Sequence, residues 1–136
     1  MKKVLFSLLA LAVLVFAYNP TKAQGDERKK IELKSSDVTT RGANPNIKED
    51  RPTTDDAKSS RGSGSGTCYV YLHNYTGYSI DIYVDGYWEG TLGKYDDAWV
   101  TTGSGYTSLY GVSVGRTKEW KFSGAYCYGS YDYYFY

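Results

Sequence analysis

Ile80-Asp81-Ile82-Tyr83-Val84-Asp85-Gly86-Tyr87-Trp88-Glu89-Gly90-Thr91-Leu92 reads as two short alternating strands joined at Asp85-Gly86. An Asp-Gly pair between β-branched and aromatic residues is a strong local hairpin signal. Two registers compete. A two-residue Asp85-Gly86 turn pairs Val84 with Tyr87 and Ile82 with Glu89, which sets a carboxylate on the Ile80/Ile82 face as a buried charge. A three-residue loop, Val84-Asp85-Gly86 with Gly86 left-handed as a bulge, pairs Tyr83 with Tyr87 and Ile82 with Trp88. That register gathers Ile80, Ile82, Trp88, Gly90 and Leu92 inside and leaves Asp81, Tyr83, Tyr87 and Glu89 in water. Its burial pattern is the more consistent, so it is the expected one.

The same alternation runs through residues 67–136, which are rich in Tyr, Val, Ile, Thr and Gly. Strands are expected at 68–74, 78–84, 87–92, 98–102, 106–114, 118–127 and 131–136. Turn-like separators include Asn74-Tyr75-Thr76-Gly77, Gly93 through Asp97, Gly103-Ser104-Gly105, Gly115-Arg116-Thr117 and Gly129-Ser130. No window beyond the N-terminus shows a helical period. A strand spacing near ten residues suits an all-β fold, a small antiparallel β-sandwich of about seven strands. Val70, Leu72, Val100, Val112, Val114, Trp120 and Phe122 are its further inner residues, with Tyr69, Tyr71 and His73 opposite Val70 and Leu72. In the tail, Tyr131, Tyr133 and Phe135 alternate with Asp132, Tyr134 and Tyr136.

Composition divides the chain into three parts. Residues 1–23 read as a secretory signal peptide: Lys2-Lys3, then the apolar run Val4–Ala17, then Thr21-Lys22-Ala23 before a cut between Ala23 and Gln24. A cut after Ala17 is the alternative. The run of fourteen residues is short of the ~20 that a membrane span requires, so no membrane span is expected. No cysteine lies near the cut to carry a lipid. The short, lysine-led signal has a bacterial form and implies a secreted or periplasmic protein. Residues 24–66 mix both charges and contain no aromatic side chain. Segments of that kind cannot bury enough surface to offset their ordering entropy. With the Gly/Ser run 59–66, they read as a disordered linker, a random coil of roughly 35 Å root-mean-square span.

Residues 67–136 hold fifteen tyrosines, all three tryptophans, the only histidine and both cysteines. Four cations against seven anions make this part mildly acidic, which argues against nucleic acid as a partner. Seventy residues form a marginal core. In an oxidising compartment, Cys68 and Cys127 are expected to form one disulfide.

Catalytic signals are sparse. His73 lacks a Gly-x-Ser-x-Gly partner, and Gly103-Ser104-Gly105 reads as a turn. Asp96-Asp97, with Asp81, Asp85 or Glu89, could offer carboxylates to calcium, but adjacent turn aspartates are common without a ligand. Asn74-Tyr75-Thr76 is a formal glycosylation sequon. No cofactor or metal motif stands out. The unusual feature is the aromatic load, since tyrosine is enriched in binding surfaces.

Ile82-Tyr83-Val84-Asp85-Gly86, then Gly90-Thr91, Tyr110-Gly111 and Trp120, resembles small secreted bacterial β-sandwich modules with a "YVDG…GT" hairpin. The resemblance covers 67–136. It implies the fold and carries over no active site. The expected function is a non-enzymatic binding or scaffold module of the bacterial envelope, using exposed Tyr69, Tyr71, Tyr83 and Tyr87 to bind a glycan or an extracellular protein. The rivals are a self-assembling envelope protein that pairs through the β-prone tail 131–136, and a small hydrolase built on His73.

Overall fold

The computed structural model describes residues 28–39, 42–51 and 66–136. The expected signal peptide 1–23, its cut, and all but the last residue of the Gly/Ser run 59–66 lie outside them. Nine strands follow in chain order: β1 (Lys29–Leu33), β2 (Ser36–Asp37), β3 (Thr67–Asn74), β4 (Ile80–Val84), β5 (Tyr87–Leu92), β6 (Asp97–Gly103), β7 (Gly105–Ser113), β8 (Lys118–Cys127) and β9 (Gly129–Phe135). All seven strands expected within 67–136 are present, with ends shifted by at most two residues. They form two sheets, ordered β1-β9-β3-β6 and β2-β8-β7-β4-β5. The five-stranded sheet is antiparallel throughout. The four-stranded sheet is mixed, because β9 runs parallel to both β1 and β3. Among the described residues no helix is long and apolar enough to cross a membrane.

Side chains alternate across each strand, and the apolar sets of the two sheets meet in one core. Val70, Leu72, Tyr131, Tyr133 and Phe135 from the first sheet join Ile80, Ile82, Leu109 and Trp120 from the second. Gly111 leaves room for a close approach within this core. A side chain there would come within 2.9 Å of both Ile80 Cγ2 and Phe135 Cε1. Cys68 on β3 and Cys127 at the end of β8 form the disulfide, with Cα atoms 5.7 Å apart. The bridge therefore ties one sheet to the other where no strand pairing does. At the far end, the Trp120 indole N–H donates to the Tyr136 carbonyl (2.9 Å).

The hairpin adopts neither simple register. Val84 pairs with Tyr87 and Tyr83 with Trp88, so Asp85-Gly86 is a two-residue turn. Its φ values of 52° and 90° are those that the turn chemistry of Asp-Gly favours. The pairing then slips, and Ile82 meets Gly90 while Ile80 meets Leu92. Glu89 is the extra residue of a β-bulge. The conflict between a tight turn and a buried carboxylate is thus resolved by a bulge on β5 and not by a longer loop. The two-residue turn sets Trp88 outward beside Tyr83, and on that same outer face Asp81 and Tyr83, expected in water, are buried at 4% and 0% exposure. Val112, expected inside, also lies on the outer face, in a second cluster with Tyr83, Tyr110 and Trp88. The inner position of β7 goes instead to Gly111. Val114 lies just past the end of β7 and is exposed.

The segment 24–66 is not a spacer throughout. β1 adds to the edge of β9 over five residue pairs, and its Leu33 is buried in the core. Residues 42–51 lie across the outer face of the five-stranded sheet. The Lys48 and Glu49 N–H groups donate to the Gly86 carbonyl (2.8 and 3.1 Å). Tyr83 donates to Asp50 (3.0 Å), and Asn44 donates to the Tyr110 hydroxyl (2.7 Å). Ile47 and Val38 pack on the same cluster. A poor apolar content is overcome because the sheet presents ready-made hydrogen-bonding partners to this stretch. Residues 24–27, 40–41 and 52–65 lie outside the described residues.

Two outcomes follow from this packing. Replacing Cys68 and Cys127 by serine opens a link spanning a sequence separation of 59. It should lower the unfolding free energy by about 4 kcal/mol in the chain-entropy view, read from paired urea curves; superimposable curves would refute it. The second concerns alkali. Burial first, then the hydrogen bond to Glu119, pushes the Tyr110 phenol up from 10.0 to about 12. Burial also raises Tyr83 and Tyr133. A raised phenol keeps its full stabilising effect below the unfolded value and loses it as pH climbs from 10 to about 12. Late phenolate absorbance should therefore appear together with loss of the near-ultraviolet dichroism. Ionisation of every tyrosine near pH 10 with dichroism intact would contradict this.

Candidate interaction face

The outer face of the four-stranded sheet collects residues that are far apart in sequence. Parallel pairing of β3 with β9 sets His73 beside Tyr134 and Tyr71 beside Asp132. Antiparallel pairing with β6 sets Asp97 beside His73 and Trp99 beside Tyr71. Alternation then turns Tyr69, Tyr71, His73 and Tyr75 to the same side.

Within this grid the rings stack. Tyr134 lies 4.7 Å from the His73 imidazole at 17°, and Tyr75 stacks on Tyr134 (6.1 Å, 9°) and on Tyr136 (5.4 Å, 8°). Stacking turns the ring faces toward each other. Trp99 is 63% exposed and Tyr69 is 42% exposed. The Arg28 guanidinium sits over the Tyr71 ring at 4.7 Å and reaches Asp132 at 3.5 Å. Lys30 and Glu32 on β1 pair with Asp132 and Tyr134, which gives the patch a charged margin.

His73 lies on this face, with Asp97 at 2.9 Å from Nδ1 and Asp132 at 3.1 Å from Nε2. A general base needs a ring nitrogen aimed at a substrate proton. Here both nitrogens face carboxylates and Tyr134 covers a ring face. The proposed aspartate cluster does not assemble. Asp96 caps the Asp97 N–H (2.9 Å), Asp81 accepts from Thr91 (2.5 Å), and Asp85 accepts from Ser108 N–H and Oγ (2.6 and 3.1 Å). Among the described residues, no three His, Cys, Asp or Glu side chains converge as a cation site.

The four tyrosines singled out from sequence are not brought together. Tyr69 and Tyr71 are on this face. Tyr83 is a correction: it is completely buried on the other sheet, because residues 42–51 cover it. Tyr87 is half-buried there, with the Lys48 ammonium 5.7 Å from its ring. Trp99, Tyr134, Tyr75, Tyr136 and Arg28 were missed as members of the face. Alternation in Tyr69-x-Tyr71-x-His73-x-Tyr75 and Asp132-x-Tyr134-x-Tyr136 was visible; the adjacency of those two strands was not. The tail is also no free edge, since β9 is paired on both sides.

No known family, curated protein or solved structure matches the chain.

The sequon serves a structural purpose. Asn74 is 2% exposed. Its Nδ2 donates to the carbonyls of Tyr78 (2.8 Å) and Gly93 (2.6 Å), and its Oδ1 accepts from the Thr76 N–H and hydroxyl. A glycan on Nδ2 would take the place of one of these two donor hydrogens, in a side chain that has no exposed face to carry it. Expression in a glycosylating host should give folded protein without sugar at Asn74, checked by intact mass. Asn74→Ala should cost about 3 kcal/mol from stranded buried carbonyls. A glycosylated chain of unchanged melting temperature would overturn this role.

Proposed function

We propose that this chain is an exported, non-enzymatic binding module of the bacterial envelope, and that the outer face of its four-stranded sheet recognises a protein. The observation that carries this reading is the gathering of Trp99, Tyr69, Tyr71 and Arg28 on one exposed face. Trp, Tyr and Arg are the residues that dominate binding energy at protein interfaces. The charged margin from β1 and Asp97 supplies the polar rim that such interfaces have. The engagement of both His73 nitrogens favours binding over hydrolysis. Export agrees with the signal-like N-terminus, with the disulfide, and with the hairpin resemblance to secreted β-sandwich modules.

A glycan is the second reading, since Trp99 and Tyr69 leave ring surface open. The stacked rings argue for protein, because a flat sugar platform requires faces turned outward and these faces are turned to one another. Trp99→Ala combined with Tyr69→Ala tests the choice, since both positions are exposed and the fold is checked by melting temperature. Loss of a hot-spot residue costs about 2 kcal/mol, roughly 30-fold in affinity. The double variant should lose binding to a purified, cross-link-identified envelope protein by at least that factor. Unchanged protein binding, or binding only to isolated envelope polysaccharide, would overturn the protein reading.

A further inference from the structure

The outermost strands of a sheet carry unpaired backbone groups, and natural edges are blunted by lysines, bulges or a covering segment. Among the described residues, three of the four sheet edges have such a device. β1 bears Lys29 and Lys30. β5 has the bulge at Glu89, and Glu49 bridges to Tyr87 at its start. β8 is covered by β2 at Lys118 and Glu119, and beyond them it carries Lys121 and a register shift opposite Ser108. β6 has none of these. It pairs with β3 alone, and that register runs from end to end without a shift. After Asp97 the strand is uncharged: Ala98-Trp99-Val100-Thr101-Thr102-Gly103. We propose that β6 is the contact of a homodimer, pairing antiparallel with β6 of a second copy about a two-fold axis at Val100.

The direction of the backbone groups decides which residues can bond across that axis. The Asn74 N–H donates to the Asp96 carbonyl (2.9 Å), and the Ser104 N–H donates to the Gly66 carbonyl (3.1 Å). These bonds close the two ends of the β3–β6 ladder. Antiparallel partners exchange bonds at every second residue, so Ala98, Val100 and Thr102 turn their backbone groups to β3. Asp97, Trp99, Thr101 and Gly103 turn theirs to the open side.

An axis at Val100 uses all four. It sets Trp99 against Thr101 of the second copy and Asp97 against Gly103, while Val100 meets its own counterpart. No like charges are opposed, and an aromatic beside a β-branched residue is a favourable cross-strand pair. Moving the axis to Trp99 or to Thr101 leaves one of the four outward residues without a partner. The inner side gains as well. Ala98 is exposed and Val100 only half-buried, although they lie beside the buried core residues Leu72 and Val70. A second β6 would cover them. Self-complementarity over the whole strand singles out a copy of the chain as the occupant. The axis stands perpendicular to the sheet, so both aromatic faces fall on one side and join into a single surface. Such isologous pairing is closed and leaves no open end at this edge.

The test is the mass in solution of the full exported chain, by sedimentation equilibrium over a range of concentrations, with hydrogen exchange at the Trp99 and Thr101 amides. A monomer–dimer equilibrium is expected, with both amides protected in the dimer. Thr101→Pro removes an N–H that the axis uses twice and that β3 does not use, and edge strands tolerate proline. It should raise the dimer dissociation constant about thirtyfold or more, the scale of two lost hydrogen bonds. It keeps Trp99 and Tyr69, so a lost dimer is read separately from lost partner binding. Should that variant fail to fold, Val100→Cys decides. The two copies of residue 100 form a non-hydrogen-bonded pair with Cα atoms about 4.5 Å apart, within disulfide reach. Thr101→Cys faces residue 99 and should not cross-link. A covalent dimer in Val100→Cys alone supports the register. A monomer throughout would overturn the proposal, whether its β6 amides exchange freely, are covered by another part of the chain, or are protected only by an added partner. So would an open-ended assembly, a dimer unaffected by Thr101→Pro, or cross-linking of Thr101→Cys in place of Val100→Cys.

Discussion

Hydrogen bonding on both sides of the C-terminal strand is the constraint on which the rest of the structure depends. β9 lies between β1 and β3 and runs parallel to both. Its inward residues Tyr131, Tyr133 and Phe135 fill the centre of the core. Its outward residues Asp132, Tyr134 and Tyr136 build the aromatic face. A strand rich in tyrosine and poor in charge is hazardous as an open edge. The lysine-bearing β1 closes that edge, so a stretch resembling a linker is part of the domain.

The same economy appears on the other sheet. Tyr83, Tyr110, Val112 and Trp88 form an apolar patch on the outer face of the second sheet. Residues 42–51 cover it using polar contacts more than apolar ones. Asn44 satisfies the Tyr110 hydroxyl, which in turn donates to Glu119 (3.0 Å), while Asp50 accepts from Tyr83 and Arg116. Buried polar groups are tolerated when each has a partner. Glu119, 1% exposed, is held by Tyr110 and Lys121. Both sheets are thus partly dressed by the N-terminal segment, which leaves the aromatic face of the four-stranded sheet as the candidate recognition surface. The interaction face is flat, aromatic and bordered by charges of both signs, with Arg28 and Lys30 set against Asp97 and Asp132.

Sequence by itself determined the all-β class, the seven strands of 67–136, the disulfide and most inner residues of β3, β4 and β9. Those features follow from alternation with a period of two, from turn residues, and from the placement of two cysteines. Tertiary structure decided what depends on neighbours distant in the chain. The bulge at Glu89 was settled by competition between the turn preferred by Asp85-Gly86 and the exclusion of a carboxylate from the core. The burial of Tyr83 was settled by a covering segment whose composition signals solvent. The interaction face arose from parallel pairing of β3 with β9, strands separated by more than fifty residues. Local pattern records which way a side chain points along its own strand; which strand lies beside it is a property of the whole packed chain.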